Sequence, residues 1–174
     1  LAKIGNERLS KEFVRNMHTG IFRTWQKALE SPYMHGIPYI WCSNNLTTAM
    51  LTQCRLYREL TGDDTYAEME ASLRDWLFGC NPWGTSMVVE LPAHGDYPDQ
   101  PHSSYLNAGA GTTVGGLVDG PVYFNIFKHL KGVNMDGIPN RPGDDYARFQ
   151  PDLMVYHDAI GDYSTNEPTM DGTA

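Results

Sequence analysis

Asn45-Leu-Thr-Thr-Ala-Met-Leu-Thr-Gln-Cys-Arg-Leu-Tyr-Arg-Glu-Leu60, the link Thr61-Gly62-Asp63-Asp64, and Thr65-Tyr-Ala-Glu-Met-Glu-Ala-Ser-Leu-Arg-Asp-Trp-Leu77 read as helix, turn and helix. In the first segment Leu46, Met50, Cys54, Tyr57 and Leu60 recur at three- and four-residue steps, the period that lays side chains along one helical face. Gly62 is a natural C-terminal cap, because glycine enters the left-handed region without steric cost. Thr65 followed three residues later by Glu68 fits a capping box. Tyr66, Met69, Leu73 and Leu77 are then predicted to point inward until Gly79 and Asn81-Pro82 end the helix. A link this short makes the two helices antiparallel neighbours, an αα-hairpin.

Upstream, Val14, Met17, Ile21, Trp25 and Ala28 keep the same period between Lys11 and Leu29, interrupted by Gly20 and stopped by Pro32. Downstream the character changes. Residues 81–121 are rich in Gly and Pro, with one β-like run at Ser86–Leu91 and no helical period. Val122 to Leu130 reads as one more short helix, and residues 131–155 as loop. An irregular stretch of this length in a folded domain is usually functional. The expected fold class is therefore all-α: helical hairpins carrying long, polar, aromatic-studded loops on one rim, where binding and catalysis tend to sit.

At 174 residues with 41% hydrophobic content, the chain can bury a core, and no apolar run is long enough to span a bilayer. A net charge of −8 argues against a nucleic-acid partner, which calls for a basic stripe. Cys42, Cys54 and Cys80 lack C-x-x-C spacing, so neither zinc ligation nor a disulfide framework is indicated. His94-Gly-Asp96-Tyr-Pro-Asp99 and the acids Asp136, Asp144 and Asp145 offer hard oxygens that suit calcium, without EF-hand spacing; no resident cofactor is expected. A metal-dependent hydrolase built on His94, Asp96 and His102 is the weakest alternative. The opening Leu1-Ala-Lys-Ile-Gly5 reads as mid-protein, so residues 1–174 are expected to be one portion of a single, larger domain.

The last nineteen residues, Tyr156-His-Asp158-Ala-Ile-Gly-Asp162-Tyr163-Ser-Thr-Asn166-Glu167-Pro-Thr-Met-Asp171-Gly-Thr-Ala174, are too polar and too rich in Gly and Pro for a core helix. They suit a sugar, since carboxyl groups exchange protons and bind hydroxyls while aromatic faces stack on pyranose rings. Tyr156, Asp158, Tyr163 and Glu167 follow the order aromatic, any residue, Asp, four residues, aromatic, three residues, Glu. That spacing resembles the C-terminal active-site signature of family 9 glycoside hydrolases, the cellulase and endoglucanase family. Four further landmarks are similar to stretches of that family, in the same order. Trp41-Cys42-Ser43-Asn44 resembles its Trp-Gly-Ser-Asn step, and Asp75–Val88 its Tyr-Leu-Leu-Gly-x-Asn-Pro-x-Gly-x-Ser stretch. Pro101-His102 resembles its sugar-site histidine signature, and Gly115–Pro121 its Gly-x-Leu-Val-Gly-Gly-Pro run.

The resemblance implies part of an (α/α)6 barrel and an inverting hydrolysis of β-linked oligo- or polysaccharide. It implies Glu167 as the acid that protonates the departing oxygen, with Asp158 and His102 in the active site. Asp162, next to Tyr163, reads as an outer hydrogen-bond partner. Tyr163, Trp83 and Tyr105 are the candidate sugar platforms, with Tyr97 and Tyr123 close by. The family pattern continues His-x-Arg, whereas this chain has His102-Ser103-Ser104, and Ser104 replaces a charged bidentate donor with one short hydroxyl. The family's Asp-Ala-Gly-Asp motif, which activates water, does not occur in the sequence. It would belong to a missing N-terminal part of the same domain, and the chain alone is expected to be inactive. The resemblance also implies a secreted or periplasmic protein. The alternative is a non-catalytic carbohydrate-binding or scaffold protein that retains the cleft.

Overall fold

The computed structural model describes residues 5–103, 109, 111, 113–129, 149–150 and 152–174, with the backbone alone at 128 and 129. The elements in chain order are α1 (Glu7–Ala28), α2 (Ser43–Thr61), α3 (Ala67–Leu77), β1 (Leu117–Val118), β2 (Val122–Tyr123), α4 (Phe124–His129), β3 (Met154–Val155), β4 (Pro168–Thr169) and α5 (Met170–Thr173).

The predicted hairpin forms, with α2 and α3 packed along their length and α1 against α2. Asn6 begins α1, its side-chain oxygen accepting from the Leu9 N–H, one of the donors that the first turn leaves free. Gly62 ends α2 at φ 74°, its N–H donating to the Arg58 carbonyl. The capping box at α3 does not form. Asp63 takes the place of Thr65, accepting from both the backbone N–H and the hydroxyl of Thr65, which turns the chain into the helix from one residue further out.

The buried face of α2 also differs from the periodic stripe. Cys54 and Tyr57 are buried as expected, but Leu46 and Leu60 are exposed while Ser43, Asn44 and Thr47 are buried. The first turn of α2 packs on loop backbone, and backbone groups need hydrogen-bond partners there rather than hydrocarbon.

Two apolar clusters follow. Met17, Ile21 and Ala28 of α1 meet Cys54 and Tyr57 of α2 and Met69 and Leu73 of α3. On its last turn α3 changes company: Trp76 and Leu77 join Tyr39, Trp83, Met87, Val89, Leu117, Val118, Met154 and Tyr156. This second cluster bolts the loops to the helices. Two short antiparallel pairs organise it, β1 with β4 and β2 with β3. The β-like run at 86–91 makes only single bridges, Val88 to Leu91 and Val88 to Leu117, besides the one from Ser86 to Phe78. The two-residue strands had no periodic signature, being too short to show one. Among the described residues no helix is long and apolar enough to cross a membrane, and Cys42, Cys54 and Cys80 are all free thiols.

His35 lies in this interior, its ring stacked 4.1 Å from that of Trp76. Thr47 donates its own proton to the Ser43 carbonyl, so the 3.1 Å contact between His35 Nε2 and Thr47 Oγ1 is donated by the histidine. Burial pushes the His35 pKa down to about 3. Below pH ~6.5 the unfolded chain takes up a proton that the native core refuses, so stability present above that pH is lost as pH falls toward 3. His35→Phe should remove this slope, worth up to ~1.4 kcal/mol per pH unit. Urea unfolding at stepped pH should thus show the variant gaining on the parent between pH 6 and 4; parallel curves would mean that His35 is protonated in the native core.

Candidate active site

The first turn of α2 grips the 118–121 run from three points. The Asn44 N–H donates to the Asp119 carbonyl (2.9 Å), the Asn44 side-chain amide to the Val118 carbonyl (2.8 Å), and the Ser43 hydroxyl to the Pro121 carbonyl (2.7 Å). Gly120 permits this approach: at φ 86°, a Cβ there would lie 2.3 Å from the Asn44 side chain. The gripped run carries β1, whose register sets Leu117 against Thr169 and Val118 against Pro168. Continuing that ladder, the Asp119 N–H donates to the Glu167 carbonyl (2.9 Å), so Asp119 lies opposite Glu167. Thr169 Oγ1 ties β4 back to Asn45 Oδ1 at 2.8 Å.

Between Tyr156 and Glu167 the acids are used very differently. Asp162 is fully buried and collects the Ser164 N–H and hydroxyl, the Thr165 N–H and hydroxyl, and a 3.4 Å contact with His157 Nδ1. It is the knot of the turn, in keeping with an outer hydrogen-bond role. Asp158 faces the other way along the chain. Its Oδ2 accepts from the Asp99 N–H (3.0 Å), and its Oδ1 from the Gln100 N–H (3.1 Å) and the Asn166 amide (2.8 Å). Burial pushes Asp158 up to about 6, against the pull of the donors that surround it.

Asn166 had no prominence in the sequence, yet it joins these parts. Its amide reaches Asp158 and the Gln100 carbonyl, its side-chain oxygen accepts from the Tyr156 hydroxyl, and its backbone carbonyl from the His102 N–H. His102 is thereby placed beside the residue that precedes Glu167. Its Nδ1–H donates to the Ile160 carbonyl at 2.7 Å, which leaves Nε2 as an acceptor on the neutral ring. The His102 ring stands edge-on to Tyr163, 6.2 Å between centroids, and Tyr163 meets the half-exposed Trp41 at 5.5 Å. Glu167 itself is exposed. Beside the Asp158 contact lies a cavity of about 280 Å³ lined by Val89, Glu90, Tyr97, Asp99, Pro101 and Thr113, among others.

Of the expected residues, Glu167, Asp158, His102 and Tyr163 are brought into one region. Trp83 is not a sugar platform. It is buried, edge-to-face with Trp76 and Tyr156, and its indole N–H donates to Gln150 Oε1 at 2.8 Å, so its faces are occupied by the core. Ser104 and Tyr105 lie outside the described residues, as do Asp136, Asp144 and Asp145. Among the described residues no three His, Cys, Asp or Glu side chains gather into a metal-sized site, His94, Asp96, Asp99 and His102 included. Trp41, Asn166 and Asp119 were missed as site residues. Trp41 stood within a quoted motif, but its pairing with Tyr163 spans more than a hundred residues and leaves no local trace.

The sequence profile described as glycosyl hydrolase family 9 matches residues 5–174. The chain belongs to that family. Among solved structures, a metagenome-derived glycoside hydrolase family 9 endoglucanase is similar at 22% identity and a TM-score of 0.70, over 97% of this chain and 28% of that one. The family 9 endoglucanase J30 is similar at 20% identity and a TM-score of 0.71, over 97% of this chain and 30% of that one. AaCel9A in complex with cellobiose-like isofagomine is similar at 20% identity and a TM-score of 0.67, over the same shares. No curated protein sequence matches the chain. The family 9 chain thus spans under a third of the length of these structures, and its helices are part of an (α/α)6 barrel.

The geometry makes Asp158 a clamp on residues 99–102. In Asp158→Asn one carboxylate oxygen becomes an NH2 group facing a backbone or amide N–H. The expected loss is about 1–3 kcal/mol of stability, with faster amide exchange at Asp99 and Gln100. Hydrogen exchange at those two amides checks it directly, and unchanged protection there would mean that Asp158 does not hold the loop.

Proposed function

We propose that this family 9 chain is the C-terminal portion of the catalytic domain of an inverting β-glycoside hydrolase acting on β-glucan, and that Glu167 is its general acid. The observation that carries the reading is the contrast within one segment. Asp162, Ser164, Thr165 and Asn166 are buried and bonded to one another or to the loops, while Glu167, next in line after the residue whose carbonyl accepts from the His102 N–H, is exposed. A residue held by its backbone with its carboxyl toward solvent suits a proton donor that must reach a substrate. The endoglucanases among the similar structures, and the complex of AaCel9A with cellobiose-like isofagomine, support the substrate class.

In this mechanism Glu167 gives its proton to the glycosidic oxygen as the bond to the anomeric carbon breaks. Water adds from the opposite face and loses its proton to a base about 6.5–9.5 Å from the acid. That base would come from an Asp-Ala-Gly-Asp motif on the remainder of the domain. His102 Nε2 would accept from a sugar hydroxyl, and Tyr163 with Trp41 would offer an aromatic wall to the ring. Asp158, its oxygens engaged, would orient rather than react. Exposed Leu9, Phe13 and Phe22 on α1 and Leu56 and Leu60 on α2 fit a surface that the other hairpins of the domain would cover.

In the polypeptide containing the whole domain, Glu167→Gln should lower turnover on unactivated β-glucan by ~10²–10⁴-fold, the span typical of general acid catalysis. Substrates with a very good leaving group should lose least, because their departure needs little protonation. Equal loss on both kinds would remove the general-acid role. The 174 residues alone should release no reducing sugar, since no water-activating pair accompanies Glu167. Robust hydrolysis by the purified chain would require a base within it and would overturn the division of labour proposed here.

A further inference from the structure

His102 and Glu167, far apart in the chain, are joined through a single peptide unit. The Asn166 carbonyl accepts from the His102 N–H at 2.9 Å, and the carbon of that carbonyl is bonded to the Glu167 nitrogen. Glu167 is held on its other side as well, its own carbonyl accepting from the Asp119 N–H at 2.9 Å. The Asn166 side chain makes the crossing a second time. Its NH2 donates to the Gln100 carbonyl (2.7 Å) and to Asp158 Oδ1 (2.8 Å), and its oxygen accepts from the Tyr156 hydroxyl (2.9 Å). The NH2 thus faces two acceptors and the oxygen a donor, which fixes the orientation of the amide.

Pro101 stands between the two residues that Asn166 grips and has no N–H to offer. The N–H groups of Gln100 and His102 and the Gln100 carbonyl are bonded to Asn166 or to the Asp158 carboxyl that Asn166 itself holds. One fully buried side chain and its carbonyl therefore do for residues 100–102 what a partner strand does in a ladder, although neither segment is a strand.

We propose that Asn166 is a positioning residue, which sets where His102 presents Nε2 to a sugar within reach of Glu167. This rests on the reading of Glu167 as the general acid and of His102 as a sugar contact. Fully buried, Asn166 acts through the backbone of His102 and not on the substrate. Two groups that must engage one sugar together tolerate little displacement, and an error of about 1 Å costs on the order of 10²-fold in rate. Asn166→Asp keeps the shape and the acceptor for Tyr156, but sets oxygen against oxygen at Gln100 and Asp158.

Two measurements on the polypeptide that contains the whole domain test this. The first needs no substitution. In amide hydrogen exchange the His102 N–H should be protected to within about tenfold of the Asp119 N–H, since both are bonded to consecutive carbonyls of the tail. Exchange at the rate of an open loop overturns the proposal. In the second, kcat/KM on unactivated β-glucan is compared for the parent, Asn166→Asp, His102→Ala and the double variant, with Asn166→Ala replacing Asn166→Asp if the carboxylate prevents folding. Asn166→Asp should lose about tenfold or more in the parent. It should lose less than about threefold in the His102→Ala background, where nothing remains to be placed. The same loss in both backgrounds is what a merely structural Asn166 would give, and overturns the proposal; a His102→Ala variant with full activity overturns it too. If the two losses are non-additive while Glu167→Gln shows no dependence on leaving group, the placement of His102 stands and the reading of Glu167 as the acid fails instead.

Discussion

The grip of α2's first turn on the 118–121 run is the constraint from which the arrangement of the site descends. A helix N-terminus leaves N–H groups without internal partners, and here Cys42 offers no side-chain cap. The Asp119 carbonyl supplies the partner from seventy-five residues away, accepting from Asn44. The Asn44 and Ser43 side chains add two more bonds to the same run. Because Gly120 has no Cβ, helix and loop meet at backbone distance. β1 is fixed by that grip, β4 by β1, and Glu167 by the ladder that joins them. Removing the helix would leave a two-residue pair, far too small to stand alone.

A second level of order comes from where the acids spend their oxygens. Asp162 spends them within its own turn and Asp158 on the loop that carries His102, while buried Asp119 has Oδ1 without a hydrogen-bond partner among the described residues. Of the four, only Glu167 is exposed, Asp158 being partly buried. The four carboxyls thus sit in four different settings, decided by donors and burial rather than by residue type. The same logic separates the aromatics: Tyr156 and Trp83 are interior, while Tyr163 and Trp41 pair at the surface beside His102.

The helices were legible because long elements repeat their pattern. Met17, Ile21, Cys54, Tyr57, Met69 and Leu73 fell on the predicted faces, since packing of one helix on another rewards that period. The reading failed where helices stop meeting helices. Leu46 and Leu60 followed the period but found no helix to pack on, while Ser43 and Asn44 were buried against loop backbone and Thr47 against the His35 ring. In the tail, Asp158, Tyr163 and Glu167 could be picked out by spacing. Asn166 could not, because its bonds to Asp158, Gln100 and Tyr156 depend on a loop path that no local pattern encodes. Trp83 shows the converse: a tryptophan in a polar loop looks like a platform until its indole N–H is seen bonded inside the core.

Costs in this fold fall at several points. Met34, Cys42 and Glu90 are non-glycine residues in the left-handed region, and buried polar atoms without a hydrogen-bond partner among the described residues include His35 Nδ1, Trp76 Nε1, Asn44 Oδ1 and Asp119 Oδ1; each opposes stability. Cys42, Asn44 and Asp119 share one place, the junction of the start of α2 with the end of β1. A costly backbone conformation persists only where the surrounding structure over-determines it, and there three hydrogen bonds from the first turn of α2 hold the 118–121 run in place. That arrangement fits a site whose electrostatics are fixed before any substrate arrives, so that little reorganisation is left for the reaction itself.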